Sequence, residues 1–204
     1  MTTSPLATSS AHLTLTRPNG DTVTVGELTE GKTVMVFLRH LGCPFCWEFA
    51  KTVLTIRPQL AERGYTLALV SIGDADGAVK FCEKLPCDED VLLVDESMRV
   101  YEALGLTRGV RSTFLSPKTG QALAKRGTQG LREATAGYTP IAPKSAQVTL
   151  QQGGAFVFDG IRVLYGWRDE ATGDHVKLSD LLDTCVGDVD GVSVVLAKGS
   201  GGNA

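Results

Sequence analysis

A chain of 204 residues that is 43% apolar and 21% charged has the size and composition of one globular domain with a full core. Its formal net charge of −3 supplies no basic stripe, which argues against nucleic acid as a partner. No apolar run approaches the roughly 20 residues that span a bilayer, so a membrane-spanning helix is not expected.

Met1 to Ser10 is rich in Ser and Thr and lacks both an apolar h-region and early Arg or Lys. Residues 1–10 are therefore expected to be a disordered leader rather than a targeting peptide. From His12 to Val25 apolar and polar residues alternate around Pro18-Asn19-Gly20-Asp21, which predicts a β-hairpin of Leu13–Thr16 and Thr22–Val25. Val34–Leu38 is long enough for one buried central strand. It stops at Arg39 and His40, turns at Gly42, and gives way to a helical pattern that opens with Cys43 and Cys46.

That helix directs Phe45, Phe49, Ala50, Val53, Leu54 and Leu60 towards a core. Pro58 is expected to kink it or split it, because proline removes a helical hydrogen bond. After Gly64, Tyr65–Ile72 is a second continuous apolar strand. Gly73–Gly77 reads as a turn, Ala78–Leu85 as a short helix, and Val91–Val94 as a third strand. Ser97–Leu104 follows as a helix with Gly105 as its left-handed stop and Asp95 as its cap. The alternation of strands and helices predicts a mostly parallel sheet with right-handed crossovers and helices on both faces.

Four glycines interrupt the helix formers between Leu115 and Leu131 and just beyond, so 107–145 is expected to be an insertion of short helices and loop before the last hairpin. Ala155–Phe158 and Arg162–Tyr165 flank Asp159-Gly160, a strong hairpin signal. Leu178–Thr184 closes as a helix, and 187–204 reads as a flexible tail with a possible strand at Val192–Leu196. The expected organisation is one domain over 11–186.

Cys43-Pro44-Phe45-Cys46 carries the chemistry. Two cysteines at i and i+3 on a first helical turn are close enough to bridge. The helix N-terminus stabilises a thiolate there, lowering its pKa from about 8.5 into the range ~3.5–7.5. Pro44 suits the first turn, where its missing N–H would have had no partner. Five cysteines, an odd number, argue against a secreted disulfide framework and for reduced thiols in a cytoplasmic setting.

Arg39 and His40 close the strand beside the pair. Arg39 could lower a thiol pKa or hold a peroxidic substrate, and His40 could relay a proton. Side chains alternate on a strand, so one of the two should face the cysteines. Arg39 is the functional candidate, with His40 structural or solvent-facing. Phe45 and Trp47 are core or groove-wall residues. Cys82 and Cys87 read as buried or incidental thiols, with a four-thiolate zinc site alongside Cys43 and Cys46 as the minor reading.

With this motif placed after a central strand, the chain resembles the thioredoxin superfamily, and more narrowly the AhpC/TSA-type peroxiredoxin-like 2 (selenoprotein-U-like) group. The likeness rests on Phe37 to Cys46, on Asp95 with Tyr101 to Leu106, on Gln151 to Val157, and on Gly173-Asp174-His175. It implies an α/β thioredoxin-like fold, a central mixed sheet flanked by helices, and antioxidant chemistry at a redox-active cysteine pair. One branch of the group reduces prostaglandin-type endoperoxides.

By thioredoxin logic Cys43 is the exposed nucleophile and Cys46 resolves; in peroxiredoxin register Cys46 is attacked and Cys43 resolves. In that register Gln152 falls where peroxiredoxins carry an arginine. Gly153 and Gly154 stand where thioredoxins carry a cis-proline, and with Gln151 and Gln152 they are expected to shape a pocket floor opposite the motif. His175 reads as a structural hydrogen-bonding residue. Cys185 reads as a helix cysteine, with resolution across a homodimer as the other possibility.

The expected activity is reduction of a peroxide, lipid endoperoxide or disulfide, recharged by thioredoxin, glutaredoxin or glutathione, without metal or organic cofactor. A redox-switch binding module, or a biosynthetic enzyme acting on an oxygenated small molecule, would use the same residues.

Overall fold

The computed structural model describes residues 9–85, 87, 90–114, 117, 120, 124, 138, 140–143, 145–160, 162–186 and 195–196. The expected leader, most of the 107–145 insertion and most of the 187–204 tail lie outside them.

The strands are β1 (Thr14–Thr16), β2 (Thr22–Thr24), β3 (Lys32–Phe37), β4 (Thr66–Ser71), β5 (Leu92–Val94), β6 (Gly154–Asp159), β7 (Arg162–Arg168) and β8 (Val195–Leu196). The helices are α1 (Val25–Leu28), α2 (Pro44–Leu54), α3 (Arg57–Glu62), α4 (Ala75–Cys82), α5 (Arg99–Ala103), α6 (Val110–Phe114) and α7 (Leu178–Val186). All eight strands form one sheet in the order β2-β1-β5-β4-β3-β6-β7-β8.

The parallel character predicted from the strand–helix alternation holds at its centre. β3, β4 and β5 run parallel, but the β1–β2 hairpin joins β5 antiparallel and the β6–β7 hairpin joins β3 antiparallel. Two hairpins grafted onto a parallel core make the sheet mixed. β8 adds a parallel edge on Tyr165 and Gly166.

Alternation along β3 divides the core between the two faces of the sheet. Val34, Val36 and Leu38 pack with Trp47, Phe81 and Leu181 beneath α2, α4 and α7. Met35 and Phe37 pack on the other side with Tyr101 and Phe156. Each fully buried large side chain contributes about 1.5–3 kcal/mol. Tyr101 also donates its hydroxyl proton to the carbonyls of Leu38 (2.5 Å) and Val70 (3.0 Å). The ends of β3 and β4 are thereby held together where the Cys-bearing turn begins.

Several boundaries differ from the sequence reading. The second hairpin strand stops at Thr24 because Thr24 and Glu27 form a capping box that starts α1, a helix absent from the prediction. α4 begins at Ala75 rather than Ala78, since the Asp74 carboxylate accepts the Gly77 N–H (2.8 Å) and turns the expected loop into a first helical turn. Pro58 splits the long helix and sits in the first turn of α3. Asp95 accepts the Val100 N–H at 2.8 Å, and Gly105 takes φ +65°, as the cap and stop of α5 require.

Candidate active site

Beyond β3 the chain leaves the sheet through Arg39 to Gly42, and Cys43 becomes the N-cap of α2 in an extended conformation, with Pro44 in the first turn. Both sulfurs are buried, with Cys43 3% and Cys46 0% exposed. The Arg39 N–H donates to the Cys46 sulfur at 3.2 Å, so the end of β3 grips the deeper thiol directly.

Arg39, two residues past the end of β3, faces the pair. Its Nη1 lies 3.6 Å from the Cys43 sulfur, while Nε donates to the Gln151 carbonyl (3.0 Å) and Nη2 to the Thr149 carbonyl (2.5 Å). The guanidinium is thus fixed by backbone just ahead of β6. A cation thus reaches the Cys43 sulfur from just past the end of β3.

The two thiols are driven apart in acidity. The Cys46 side chain donates a hydrogen bond to the Cys43 sulfur; Arg39, the Cys46 N–H and His175 add to that pull. Together they outweigh burial and hold the Cys43 thiol down to about 6. Burial, then the neighbouring Cys43 sulfur, pushes Cys46 up.

His40 points away from the pair and is buried rather than solvent-facing. Desolvation, then the Arg39 charge, lowers its pKa to about 4, so the imidazole is neutral near pH 7. It lines a cleft at the carboxyl ends of β3 and β4 with Leu41, Ile72 and Ile141.

The other expected pocket residues serve packing and main-chain contacts. Gln152 is fully buried and donates to Thr113 Oγ1 (2.8 Å); Gln151 donates to the carbonyl of Thr107 (3.0 Å). A Cβ on Gly153 would collide with the Phe37 carbonyl and lie 3.1 Å from Asp169 Oδ2, and one on Gly154 would lie 2.5 Å from the Trp167 carbonyl. These glycines permit close strand approach, but neither lines the described cavities. Phe45 packs against the α2-side core. Trp47 is fully buried, donating from Nε1 to the Leu41 carbonyl at 2.6 Å.

Two residues near the pair escaped the sequence reading. Tyr138 donates its hydroxyl to the Gly42 carbonyl (2.8 Å) and meets Trp47 edge-on. Asp169 is buried and accepts from Trp167 Nε1, with His175 Nδ1 at 3.0 Å from its other oxygen. The Tyr138 contact joins residues 96 apart, whereas Asp169 meets partners two and six residues away, in a loop with no regular periodicity to mark them.

Cys185 is buried on α7, and desolvation lifts its thiol to about 11. Cys82 and Cys87 are partly buried against the α2-side core. The described residues bring together no group of three or more His, Cys, Asp or Glu side chains fit to hold a metal. Among them, no helix is long and apolar enough to cross a membrane.

Residues 53–171 match the family of AhpC/TSA antioxidant enzymes. The chain belongs to that AhpC/TSA family. It is 29% identical over 182 residues to mouse peroxiredoxin-like 2C, covering 87% of this chain and 79% of the relative. It is 28% identical over 170 residues to the prostamide/prostaglandin F synthase of Salmo salar, covering 80% and 79%.

Among solved structures, the peroxidoxin BcpB of Mycobacterium tuberculosis superposes with TM-score 0.59 at 19% identity, over 87% of this chain and 93% of that one. The bacterioferritin comigratory protein of Xanthomonas campestris superposes with TM-score 0.56 at 14% identity, over 86% and 88%. These likenesses establish the thioredoxin-like fold of this AhpC/TSA member.

Proposed function

We propose that this chain is a thiol-dependent oxidoreductase that reduces a peroxide through Cys43 and Cys46. The AhpC/TSA match begins at residue 53, beyond both cysteines, so the roles assigned to them rest on geometry. One observation carries the reading: the Arg39 guanidinium lies 3.6 Å from the Cys43 sulfur, clamped there by two carbonyls. A fixed cation beside a sulfur stabilises its thiolate and, during reaction, the charge that develops on the departing oxygen.

The Cys43 thiolate attacks one peroxide oxygen; an S–O bond forms, the O–O bond breaks, and the alkoxide leaves and is protonated. Cys46 then attacks the oxidised Cys43 sulfur, giving a Cys43–Cys46 disulfide and releasing water from a hydroperoxide or an alcohol from an endoperoxide. A dithiol protein or glutathione restores both thiols by exchange. The names of the relatives support peroxides and lipid endoperoxides as the substrate classes to try first.

Mass spectrometry after one equivalent of hydrogen peroxide, cumene hydroperoxide or a small disulfide tests this. The expected product is an intramolecular Cys43–Cys46 bridge; a protein that stays fully reduced with all three oxidants would sink the reading.

Acidity gives a second check. Iodoacetamide should alkylate Cys43 with a rate that rises through about pH 6 and is flat by pH 8. The sign follows from the lowered thiol: the reactive thiolate persists above that pH and is lost as pH falls through it. A rate still climbing at pH 9 would mean the thiol is not activated.

A further inference from the structure

A buried acid–imidazole couple stands beside the cysteine pair and is left unused by the reaction as written. Asp169 is 2% exposed, and its Oδ2 lies 3.0 Å from His175 Nδ1. As a carboxylate it accepts the Nδ1 proton, which fixes the ring orientation and leaves Nε2 on the opposite edge. Nε2 is buried and has no hydrogen-bond partner among the described residues. The ring stacks on Phe49 with centroids 4.1 Å apart and planes 7° apart.

Phe49 follows Cys46 by three positions on α2, hence on the same helix face. Asp169 is tied to the other side of the site. Its N–H donates to the Gly153 carbonyl at 3.1 Å, and Gly153 packs against Phe37, two residues before Arg39. The couple therefore bridges the end of β3 and the first turns of α2, the two elements that hold the sulfurs. The His175 ring also lines a solvent-open cavity of about 240 Å³ with Glu48, Thr52 and Leu178.

This matters because both sulfurs are shut away from bulk water while peroxide cleavage releases an alkoxide that needs a proton. We propose that His175, aligned by Asp169, is the acid that protonates the leaving oxygen, and that the cavity beside it resupplies the proton from solvent. The proposal rests on the Cys43 reading above.

In the step, the Cys43 thiolate forms an S–O bond with the terminal oxygen of a hydroperoxide. The O–O bond breaks, sulfur is oxidised by two electrons, and the alkoxide takes the proton from Nε2 to leave as the alcohol. Neutral His175 regains a proton through the cavity. Asp169 is a positioning residue. Among the described residues, the charged or titratable groups near the couple include Asp174, which acts on Asp169, Glu48 across the cavity, and the Cys43 sulfur with Arg39 behind it.

Two peroxides separate this role from a structural one. Tert-butyl hydroperoxide expels a strongly basic alkoxide that needs a proton, whereas peracetic acid expels acetate, which does not. His175→Gln should lose about a hundredfold in the oxidation rate with tert-butyl hydroperoxide and far less with peracetic acid, where only its small contribution to the Cys43 acidity is lost. Asp169→Asn should fall in the same direction by less. Equal losses on both peroxides, or none, would overturn the proposal while leaving Cys43 as the attacked sulfur.

A wild-type protein inert to both peroxides would overturn the Cys43 reading, and this one with it. Should both variants fail to fold, the wild type still decides. Across a series of alkyl hydroperoxides its rate should depend weakly on leaving-group basicity, and a steep dependence would refute delivery of a proton by His175.

Discussion

Cys43→Ser should reduce peroxide turnover to background, a loss of at least about a thousandfold, because a serine hydroxyl at that position forms no thiolate and has no comparable nucleophilicity. Cys46→Ser should also stop turnover, but by a different route. Its Cys43 still reacts once with peroxide, and with no resolving thiol it accumulates as sulfenic acid, trappable with dimedone. The hydrogen bond from Cys46 is the largest influence holding the Cys43 thiol down, and a serine hydroxyl can still donate it, so Cys46→Ala rather than Cys46→Ser should lift the alkylation midpoint. The pair of variants also decides between the two orders of attack. If Cys43→Ser gives a trappable sulfenic acid on Cys46, and Cys46→Ser gives none, the peroxiredoxin register holds and the roles assigned here are reversed.

The core of this site was legible because local physics fixed it. A continuous apolar run from Val34 to Leu38 has one stable use as a central strand, and Gly42 and Pro44 punctuate the change to a helix. Asp159-Gly160 likewise fixed the β6–β7 hairpin, with Gly160 at φ +57°. Alternation implied only that one of Arg39 and His40 should face the cysteines; it did not pick out Arg39, which lies beyond the end of β3. By contrast, α1 was missed although its capping box is written in Thr24 and Glu27, because two alternating apolar residues suggested a longer strand. α4 was started late because Gly77 looked like a turn, whereas the Asp74 cap outweighs it.

What fixes Arg39 could not be read at all. Its acceptors are main-chain carbonyls 110 and 112 residues further along, and a carbonyl carries no sequence signature. The same holds for Tyr138 on the Gly42 carbonyl, 96 residues away. Gly153 and Gly154 were correctly read as places of close backbone approach. What they approach, the Phe37 and Trp167 carbonyls, emerges only from the sheet order.

Arg39→Met should have the second-largest effect, and it should appear in both stability and chemistry. Methionine replaces the apolar stem but donates nothing, so the buried Gln151 carbonyl and the partly buried Thr149 carbonyl each lose a charged donor. An orphaned buried acceptor costs about 1–3 kcal/mol, which predicts a fall of that size in unfolding free energy from the Gln151 carbonyl and a smaller one from the partly buried Thr149 carbonyl. Urea denaturation measures it. The Cys43 thiol simultaneously loses its nearest cation, so its alkylation midpoint should rise and peroxide oxidation at pH 7 should slow by about a hundredfold.

Arg39→Lys separates the two effects. A lysine keeps the positive charge but lacks the planar fork that reaches two carbonyls and a sulfur at once. It should restore part of the thiol acidity while recovering little of the stability. If Arg39→Met leaves the alkylation midpoint where it was, the guanidinium is a structural clamp alone, and the low acidity barrier at Cys43 comes from Cys46 and the start of α2.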